Sequence, residues 1–320
     1  MPPRPDRSVA AGTEDRLPGF FCRPALPSVP GQSPPWSKGN WAADSESLGL
    51  PTIGNSSPGA ASNGFHKILL PGNFTLALMP GISLVSAGMR VGLFIPCFID
   101  QCYPQVGVAM VKVLRRLNIE VDFPAEQTCC GQPAFNTGYW EEARALARRY
   151  SEIFAGYDAI VSPSGSCTAM VRNYHPELLG KATPATTHTY EFAEFLVRKL
   201  GITDVGAVFP AKVTYHDSCH SLRELRLKAE PRQLLRNVKG LELVEMDASE
   251  SCCGFGGTFS VKFPMISYAM DEVKVASIQR TGAEYVVSID SSCLMQIDGY
   301  LRRKQVPVKT ISLVEVLAST

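Results

Sequence analysis

The sequence predicts an α/β protein made of two similar halves, each built on a parallel, Rossmann-like sheet, after an N-terminal segment without a stable fold. Three observations predict this architecture. From Met89 onward, short apolar runs alternate with amphipathic helical periods, a pattern typical of parallel α/β sheets. The cysteines after Met89 repeat in two spaced sets about 123 residues apart. Residues 1–88 have neither feature.

The segment 1–88 is rich in residues that interrupt regular structure. It holds 13 of the 24 prolines, 11 of the 26 glycines and 11 serines, so we expect a disordered extension that cannot bury a core. If Met89 is the true initiator, the segment is not part of the natural product. The stretch from Ile68 to Met89 carries no charge, but Pro71 and Pro80 interrupt it, so we expect no stable membrane span.

Size and charge limit the classes of function. The 320 residues allow about two domains, which we place at 89–205 and 206–320. The chain has 31 basic and 30 acidic residues, a net charge of +1, so its overall charge attracts neither nucleic acid nor an anionic membrane. Ten cysteines are too few for a disulfide-dense secreted module, and we expect a cytoplasmic protein.

The elements of the first half follow in order. The first strand, Val91–Ile95, precedes a helix whose apolar stripe has helical spacing. The second strand, Ile119–Phe123, precedes another such helix, and the third strand is Asp158–Ser162. The expected stripes are Val106, Met110, Val113 and Leu117 in the first helix, and Trp140, Ala143, Ala147, Tyr150 and Phe154 in the second.

The second half has the same order of elements. Strands are expected at Lys212–His216, Leu241–Glu245 and Glu284–Ile289. A helix between the last two carries the stripe Phe263, Ile266, Met270 and Val273. We expect all three stripes to form core, because this spacing is typical of a buried helix face.

The cysteines form the most informative pattern. In each half, one cysteine is followed after 31 or 32 residues by Cys-Cys-Gly, and after a further 35 or 38 residues by a fourth cysteine. Each cysteine lies just beyond a predicted strand, and open parallel sheets bind ligands at that edge. We therefore expect two groups of four thiols as metal ligands: Cys97, Cys129, Cys130 and Cys167, and Cys219, Cys252, Cys253 and Cys293.

Four cysteine thiolates are the ordinary ligands of an iron–sulfur cluster, and we predict one cluster in each half, with 4Fe-4S as the expected type. The alternative from another class is a zinc-stabilised scaffold without a redox role. Structural zinc sites usually bind the ion through pairs of cysteines separated by a short turn. We expect adjacent side chains such as Cys129 and Cys130 to diverge, which suits the separate iron atoms of a cluster better than a single zinc ion. Buried inert thiols and structural disulfides explain two repeated sets less well.

This pattern resembles the cysteine-rich CCG domain family, which includes the cysteine-rich subunit of heterodisulfide reductase and the glycolate oxidase iron–sulfur subunit. Longer motifs are similar to the lactate-utilisation protein A family. They are Gln132-Pro133-Ala134, Ser162-Pro163-Ser164-Gly165-Ser166-Cys167, and Cys252-Cys253-Gly254-Phe255-Gly256-Gly257-Thr258-Phe259-Ser260. The resemblance covers Met89 to the C-terminus, about 230 residues.

The resemblance implies an iron–sulfur electron-transfer subunit of a multi-subunit L-lactate dehydrogenase that oxidises lactate to pyruvate. It also implies a second iron–sulfur subunit and a third subunit as partners, with lactate at a shared site, so we expect no activity from the chain alone. A subunit of another hydroxyacid oxidase, or of a heterodisulfide-type reductase, is the alternative within the same chemistry. The sequence identifies no catalytic residue.

Several residues depart from the family pattern or from the repeat. Ser164 and Asp290 stand where the heterodisulfide reductase pattern has a further cysteine, so its noncubane cluster and disulfide-cleaving chemistry are not implied. Cys102 lies five residues after Cys97 and is a candidate fifth ligand of the first set, but it has no counterpart in the second half, so a packed loop thiol is favoured. Cys22 is expected to be incidental. His220 is a candidate alternative ligand, or a residue that contacts one.

Glycines adjoin both cysteine pairs: Gly131, Gly254, Gly256 and Gly257. Without a Cβ, the backbone can approach a cluster and direct N–H groups at its sulfurs, so we assign these glycines to cofactor binding. The run from His216 to His220 offers a thiol, an imidazole and a carboxylate. Neighbours in sequence rarely face one another, so a hydrolase is not favoured.

Overall fold

The computed structural model describes residues 88–320. They form two four-stranded sheets in which every strand pair is parallel. With the strands numbered along the chain, the first sheet has the order β2 (Val121–Asp122), β1 (Val91–Leu93), β3 (Ala159–Ser162), β4 (Thr189–Glu191), and the second has the order β6 (Glu242–Leu243), β5 (Lys212–Tyr215), β7 (Tyr285–Ser288), β8 (Lys309–Ser312). The predicted fold class is therefore confirmed. The expectations for Cys22, for the N-terminal extension and for the uncharged stretch before Met89 fall on residues outside this range. Within it, no helix combines the length and apolar content needed to cross a bilayer.

The strands are short, and the central ones are the most buried. Val91–Leu93 and Ala159–Ser162 are buried throughout, as expected for strands covered by helices on both faces.

The six predicted strands are all present, and the edge strands β4 and β8 are additional. An edge strand pairs on one side only and needs no continuous apolar run, so the polar sequences of β4 and β8 carry no strand signal. The registers of the two sheets also correspond. Val91 pairs with Val121 and Ala159, and Val213 pairs with Leu243 and Tyr285.

Helices connect these strands. In the first half they are Cys97–Cys102, Pro104–Arg116, Gln132–Asn136, Trp140–Ile153, Gly165–Ala169, His175–Leu179, Pro184–Thr187 and Phe192–Glu194, with π-helical turns at Met170–Tyr174 and Phe195–Lys199. In the second half they are Cys219–Arg223, Ala229–Arg236, Thr258–Lys262, Pro264–Thr281, Ser291–Arg303 and Leu313–Ala318.

Two of the three predicted apolar stripes are buried. The whole stripe of the helix Pro104–Arg116 is core, as is the stripe of Trp140–Ile153 except for its first residue. Trp140 is 59% exposed, so its predicted place in the core is wrong. It lies at the first position of its helix, three residues before the first buried residue, Ala143.

The prediction that the third stripe forms core is wrong, because the helix turns a different face toward the interior. Phe263, Ile266 and Val273 are exposed. The helix Pro264–Thr281 instead buries a largely polar face that comprises Ser267, Asp271, Lys274, Val275, Ser277 and Ile278. Ser267 and Lys274 of this face have hydrogen-bond partners, whereas Asp271 Oδ1 is buried without one. Ser267 Oγ donates to the Gly254 carbonyl at 2.8 Å, and Lys274 Nζ donates to the carbonyls of Ala248 and Ser249.

The two halves contact each other directly. Arg116 of the first half donates hydrogen bonds to the carbonyls of Leu317 and Ala318 of the second half, at 3.0 and 2.8 Å. Close to the strand ends, the backbone N–H of Ser166 donates to Asp290 Oδ2 at 2.8 Å. Asp290 thereby ties a loop of the first sheet to a loop of the second.

Gly165 is a sensitive point of this contact, and we expect Gly165→Ala to destabilise the protein. A Cβ there would lie 1.7 Å from Ser221 Oγ and 2.9 Å from Ser221 Cβ, so the two halves would have to shift apart. Overpacking of this kind costs about 1–3 kcal/mol of unfolding free energy. Urea unfolding measures the loss.

The matched control is Gly299→Ala, in the interior of the helix Ser291–Arg303. A Cβ at Gly299 meets nothing within 4 Å, and alanine is the better helix former. We expect a gain of about 0.5–1 kcal/mol. Equal effects of the two substitutions would contradict the close contact at Gly165.

Candidate metal centre

All eight predicted cysteine ligands line one cavity of about 200 Å³. Cys97 begins the helix after β1, Cys129 and Cys130 lie in the loop after β2, and Cys167 lies in the helix after β3. The second set occupies the matching positions after β5, β6 and β7. Parallel strands place these carboxyl ends on one edge of each sheet. The two sheet edges therefore contribute to a single site.

The first set is a continuous series of contacting thiols centred on Cys129. The Cys129 sulfur accepts hydrogen bonds from Cys130 and Cys97, and these bonds lower its pKa to about 3. Donation to Cys129, and then burial, raises the pKa of Cys97. Cys130 is held protonated by its bonds with Cys129 and Cys167 and by burial, which raise its pKa. Negative charge in this set is therefore favoured on Cys129.

The second set repeats this arrangement. Hydrogen bonds from Cys219 and Cys253 lower the pKa of Cys252 to about 2. The bond with Cys252, followed by burial, raises the pKa of Cys219. Bonds with Cys252 and Cys293, together with burial, raise the pKa of Cys253. The repeat found in the sequence is therefore also a repeat of geometry.

The two cysteines of each adjacent pair influence each other electrostatically: Cys129 raises the pKa of Cys130, and Cys252 raises the pKa of Cys253. A tight turn at a glycine follows each pair. Gly131 and Gly254 have φ of 87° and 89°, a left-handed conformation that glycine adopts without strain.

The glycine turns also direct backbone donors at the sulfurs. Gly131 N–H donates to Cys129 Sγ and Gly254 N–H to Cys252 Sγ, each at 3.4 Å. A Cβ at Gly254 would lie 2.6 Å from the Ser267 carbonyl oxygen, so the turn sits directly on the following helix. Gly256 and Gly257 line the cavity itself.

Ser164 and Asp290 have clear structural roles at the positions where the related pattern has cysteine. Ser164 Oγ caps a helix by accepting from Cys167 N–H at 3.4 Å. Asp290 accepts from Ser292 in its own helix, and also from Ser166 and Ser218. An Asp that precedes a helix is a recognisable N-cap in sequence. The contact of Asp290 with the first half, in contrast, cannot be predicted from the neighbouring sequence.

Cys102 lies at the end of the helix Cys97–Cys102 and is exposed, so its predicted role as a packed loop thiol is wrong. The residue does not line the cavity. His220 does line the cavity, with Nδ1 3.6 Å from Cys219 Sγ and Nε2 3.7 Å from Glu224 Oε1. The structure thus brings His220, but not Cys102, to the site.

His216 is a site residue that sequence reasoning passed over. It is fully buried, and neither ring nitrogen has a hydrogen-bond partner. Its ring nitrogen and the sulfurs of Cys253 and Cys293 all lie within 4.8 Å of one another. Burial, and then the charge of Lys274, lowers the pKa of His216 to about 3. The imidazole is therefore neutral at neutral pH.

The run from His216 to His220 does not form a hydrolytic triad. Asp217 is bound by Arg232, which donates to both of its carboxylate oxygens at 2.7–2.8 Å. Arg232 also binds Glu245 and stacks over Tyr215. These contacts fix the end of β5 beside Cys219 and leave Asp217 no contact with the His216 ring.

The donor set fits a metal cofactor. The described residues that line the cavity include eight thiols but no lysine or arginine. Lys274 lies outside this lining and interacts electrostatically with Cys253 and Cys293 of the second set. A buried imidazole without hydrogen bonds lies next to two of the thiols. Thiolate and neutral imidazole are both ordinary ligands of iron and zinc. Metal binding would supply further positive charge.

Comparisons with known proteins agree with this geometry. A 48% identical protein from Exiguobacterium sp. aligns over 71% of this chain and 96% of its own length, and a 46% identical protein from Bacillus subtilis aligns over 72% and 100%. Both are named lactate utilization protein A. Among solved structures, glutamate racemase from Francisella tularensis aligns over 73% of this chain and 79% of its own, at 12% identity and a TM-score of 0.31, which supports no inference about function.

The match to a family model follows the repeat. The model of the cysteine-rich CCG domain matches residues 91–172 and again 213–298. Each match contains one complete set of four cysteines. The chain therefore belongs to the lactate utilization protein A family of proteins with two cysteine-rich CCG domains.

Proposed function

We propose that the chain holds two iron–sulfur clusters, one on each set of four cysteines, and transfers electrons during the oxidation of lactate to pyruvate. The observation that carries this proposal is the convergence of all eight thiols on one cavity. The name shared by relatives of 46–48% identity supports a role in lactate utilisation.

Each cluster would be held by one repeated set of thiols. Cys129 and Cys252 have lowered pKa values, so each set presents a thiolate before the metal binds. The N–H groups of Gly131 and Gly254 donate to these two sulfurs and stabilise their negative charge. Hydrogen bonds to ligand sulfurs are among the factors that set the reduction potential of an iron–sulfur centre.

The size of the cavity favours clusters over single zinc ions. A structural zinc site is closed, because four ligands contact the ion directly. Here the thiols surround a space of about 200 Å³, which suits cofactors of several atoms. The 4Fe-4S type needs four thiolates, and each set has four.

Exposure differs among the thiols in a way that suits electron transfer. When bound, an iron–sulfur cluster supplies one-electron oxidation and reduction. Cys130 and Cys253 are each 2% exposed and shield the site from water. Cys97 is exposed, so the first set reaches the protein surface, where a partner could exchange electrons.

We assign the remaining steps to partners within the same system. These are a second iron–sulfur subunit and a third subunit, with lactate bound at a site that the subunits share. We also propose a cytoplasmic location. The nine described cysteines are all free thiols, a state that the reducing cytosol maintains.

The ligand sets can be tested by replacing one buried thiol at a time. Cys130→Ser and Cys253→Ser are each expected to lower bound iron and acid-labile sulfide to about half, because serine keeps the shape but removes the soft thiolate. Iron, zinc and sulfide analysis of anaerobically purified protein measures the effect. Cys102→Ser is the control, and its metal content should not change, since Cys102 lies outside the cavity.

Two outcomes would contradict the assignment. Zinc in the absence of labile sulfide would indicate a scaffold without a redox role. Unchanged iron in both Cys130→Ser and Cys253→Ser would mean that these cysteine sets do not hold the clusters.

The electron-transfer role predicts that the isolated chain is a poor lactate dehydrogenase. Full metal loading should leave lactate oxidation with an artificial electron acceptor at background, and adding the partner subunits should restore it. Rapid pyruvate formation by the purified chain alone would overturn this expectation. It would require a lactate site within the chain itself.

A further inference from the structure

The helices that pack next to the two cysteine sets bury different kinds of side chain. Gly131 packs against Ala143 and Leu146, and Gly254 packs against Ser267 and Met270, so equivalent helix positions lie 124 residues apart. The buried face of the first helix is Ala143, Ala147, Tyr150 and Phe154, and the equivalent face of the second is Ser267, Asp271, Lys274 and Ile278. The helix face that packs beneath the cysteine pair is therefore largely apolar in the first half and largely polar in the second.

His216 occupies the place that Phe94 has in the first half. Each residue lies three positions before the first cysteine of its set. Phe94 N–H donates to the Val161 carbonyl, and His216 N–H donates to the Val287 carbonyl, both at 2.9 Å. The backbones are thus equivalent. Phe94 packs edge-on against Tyr150 with ring centroids 5.0 Å apart, whereas His216 brings two nitrogens to the same depth.

Those nitrogens have no partner among the described residues. Both are buried without a hydrogen bond, an arrangement that native proteins usually avoid. A ring nitrogen of His216 lies within 4.8 Å of the sulfurs of Cys253 and Cys293, and those sulfurs lie within the same distance of each other. This spacing allows one metal ion to contact all three atoms.

The other imidazoles near the thiols are placed differently. His175 Nε2 donates to the Cys130 carbonyl at 2.8 Å, so that nitrogen is already used. His220 lies beside Cys219 but also faces Glu224 and Gln132. His216 is the histidine that forms a compact metal-binding group with two cysteines in residues 88–320.

We propose that His216 supplies a nitrogen ligand to the metal centre of the second half, beside Cys253 and Cys293, so that the two centres of this protein are not equivalent. This assignment rests on the proposed function, because it requires an iron–sulfur cluster at the second cysteine set. The first centre, which has Phe94 at the matching position, would have sulfur ligands only. Because the second set already has four thiols, His216 would be an additional ligand and not a replacement for cysteine, and we expect the two centres to differ in reduction potential.

The test is pulsed electron paramagnetic resonance on the reduced, anaerobically purified full chain. We expect the nitrogen hyperfine coupling of a directly bound imidazole, and we expect it to change when the protein is produced with ¹⁵N-labelled histidine. The labelled wild-type protein needs no substitution, so this measurement does not depend on the folding of a variant. Absence of the histidine coupling in protein with both clusters loaded would overturn the assignment.

Two variants identify the histidine. His216→Phe copies the first half, and it should abolish the nitrogen coupling and shift the potential of one of the two centres, while the other centre is unchanged. His220→Phe is the matched control, because His220 also lies near a cysteine, and it should keep the coupling. Loss of the coupling in His220→Phe, with retention in His216→Phe, would overturn the assignment.

Metal analysis distinguishes a failure of the proposed function from a failure of the His216 assignment alone. Wild-type protein without iron and labile sulfide would overturn both the clusters and the nitrogen ligand. Protein with iron and sulfide in both halves, but without a histidine signal, would leave the clusters in place and remove only the role of His216.

Discussion

The parallel direction of the strands is the constraint on which the rest of this structure depends. Because every strand pair is parallel, the loops that carry the cysteines leave each sheet at the same edge, and both edges open on one cavity. Thiols packed this closely cannot all ionise. One sulfur in each set, Cys129 or Cys252, accepts bonds from its neighbours, and the neighbours that donate are held protonated. A bound metal would relieve this competition by stabilising all the thiolates together.

The two halves share a backbone plan but differ in what supports the thiols. Aromatic packing by Phe94 and Tyr150 lies under the first set, while His216 and Lys274 lie buried under the second. The interior of the second half is therefore more polar. A polar support can act on a metal centre electrostatically, which an apolar support cannot, so duplication of the fold need not produce two copies of one site.

Contacts between the halves hold the shared cavity together. Asp290 accepts from Ser166 in the first half and from Ser218 in the second, and Gly165 lets the loop of the first half approach Ser221. These residues stand within or beside the motifs that carry Cys167, Cys219 and Cys293. The same loops thus supply sulfur ligands and join the halves, so the site and the interface between the halves depend on each other.

The sequence by itself determined the α/β class, the repeat and the eight thiols of the site, because these depend on strand–helix alternation and on the spacing of one residue type. It did not determine which face of Pro264–Thr281 is buried, since Ser267 and Lys274 are satisfied by carbonyls far away in the sequence. Nor did it find β4 and β8, which have little apolar content. The approach of His216 to Cys253 and Cys293 was decided only by the tertiary structure, because it depends on loops brought together from separate strands.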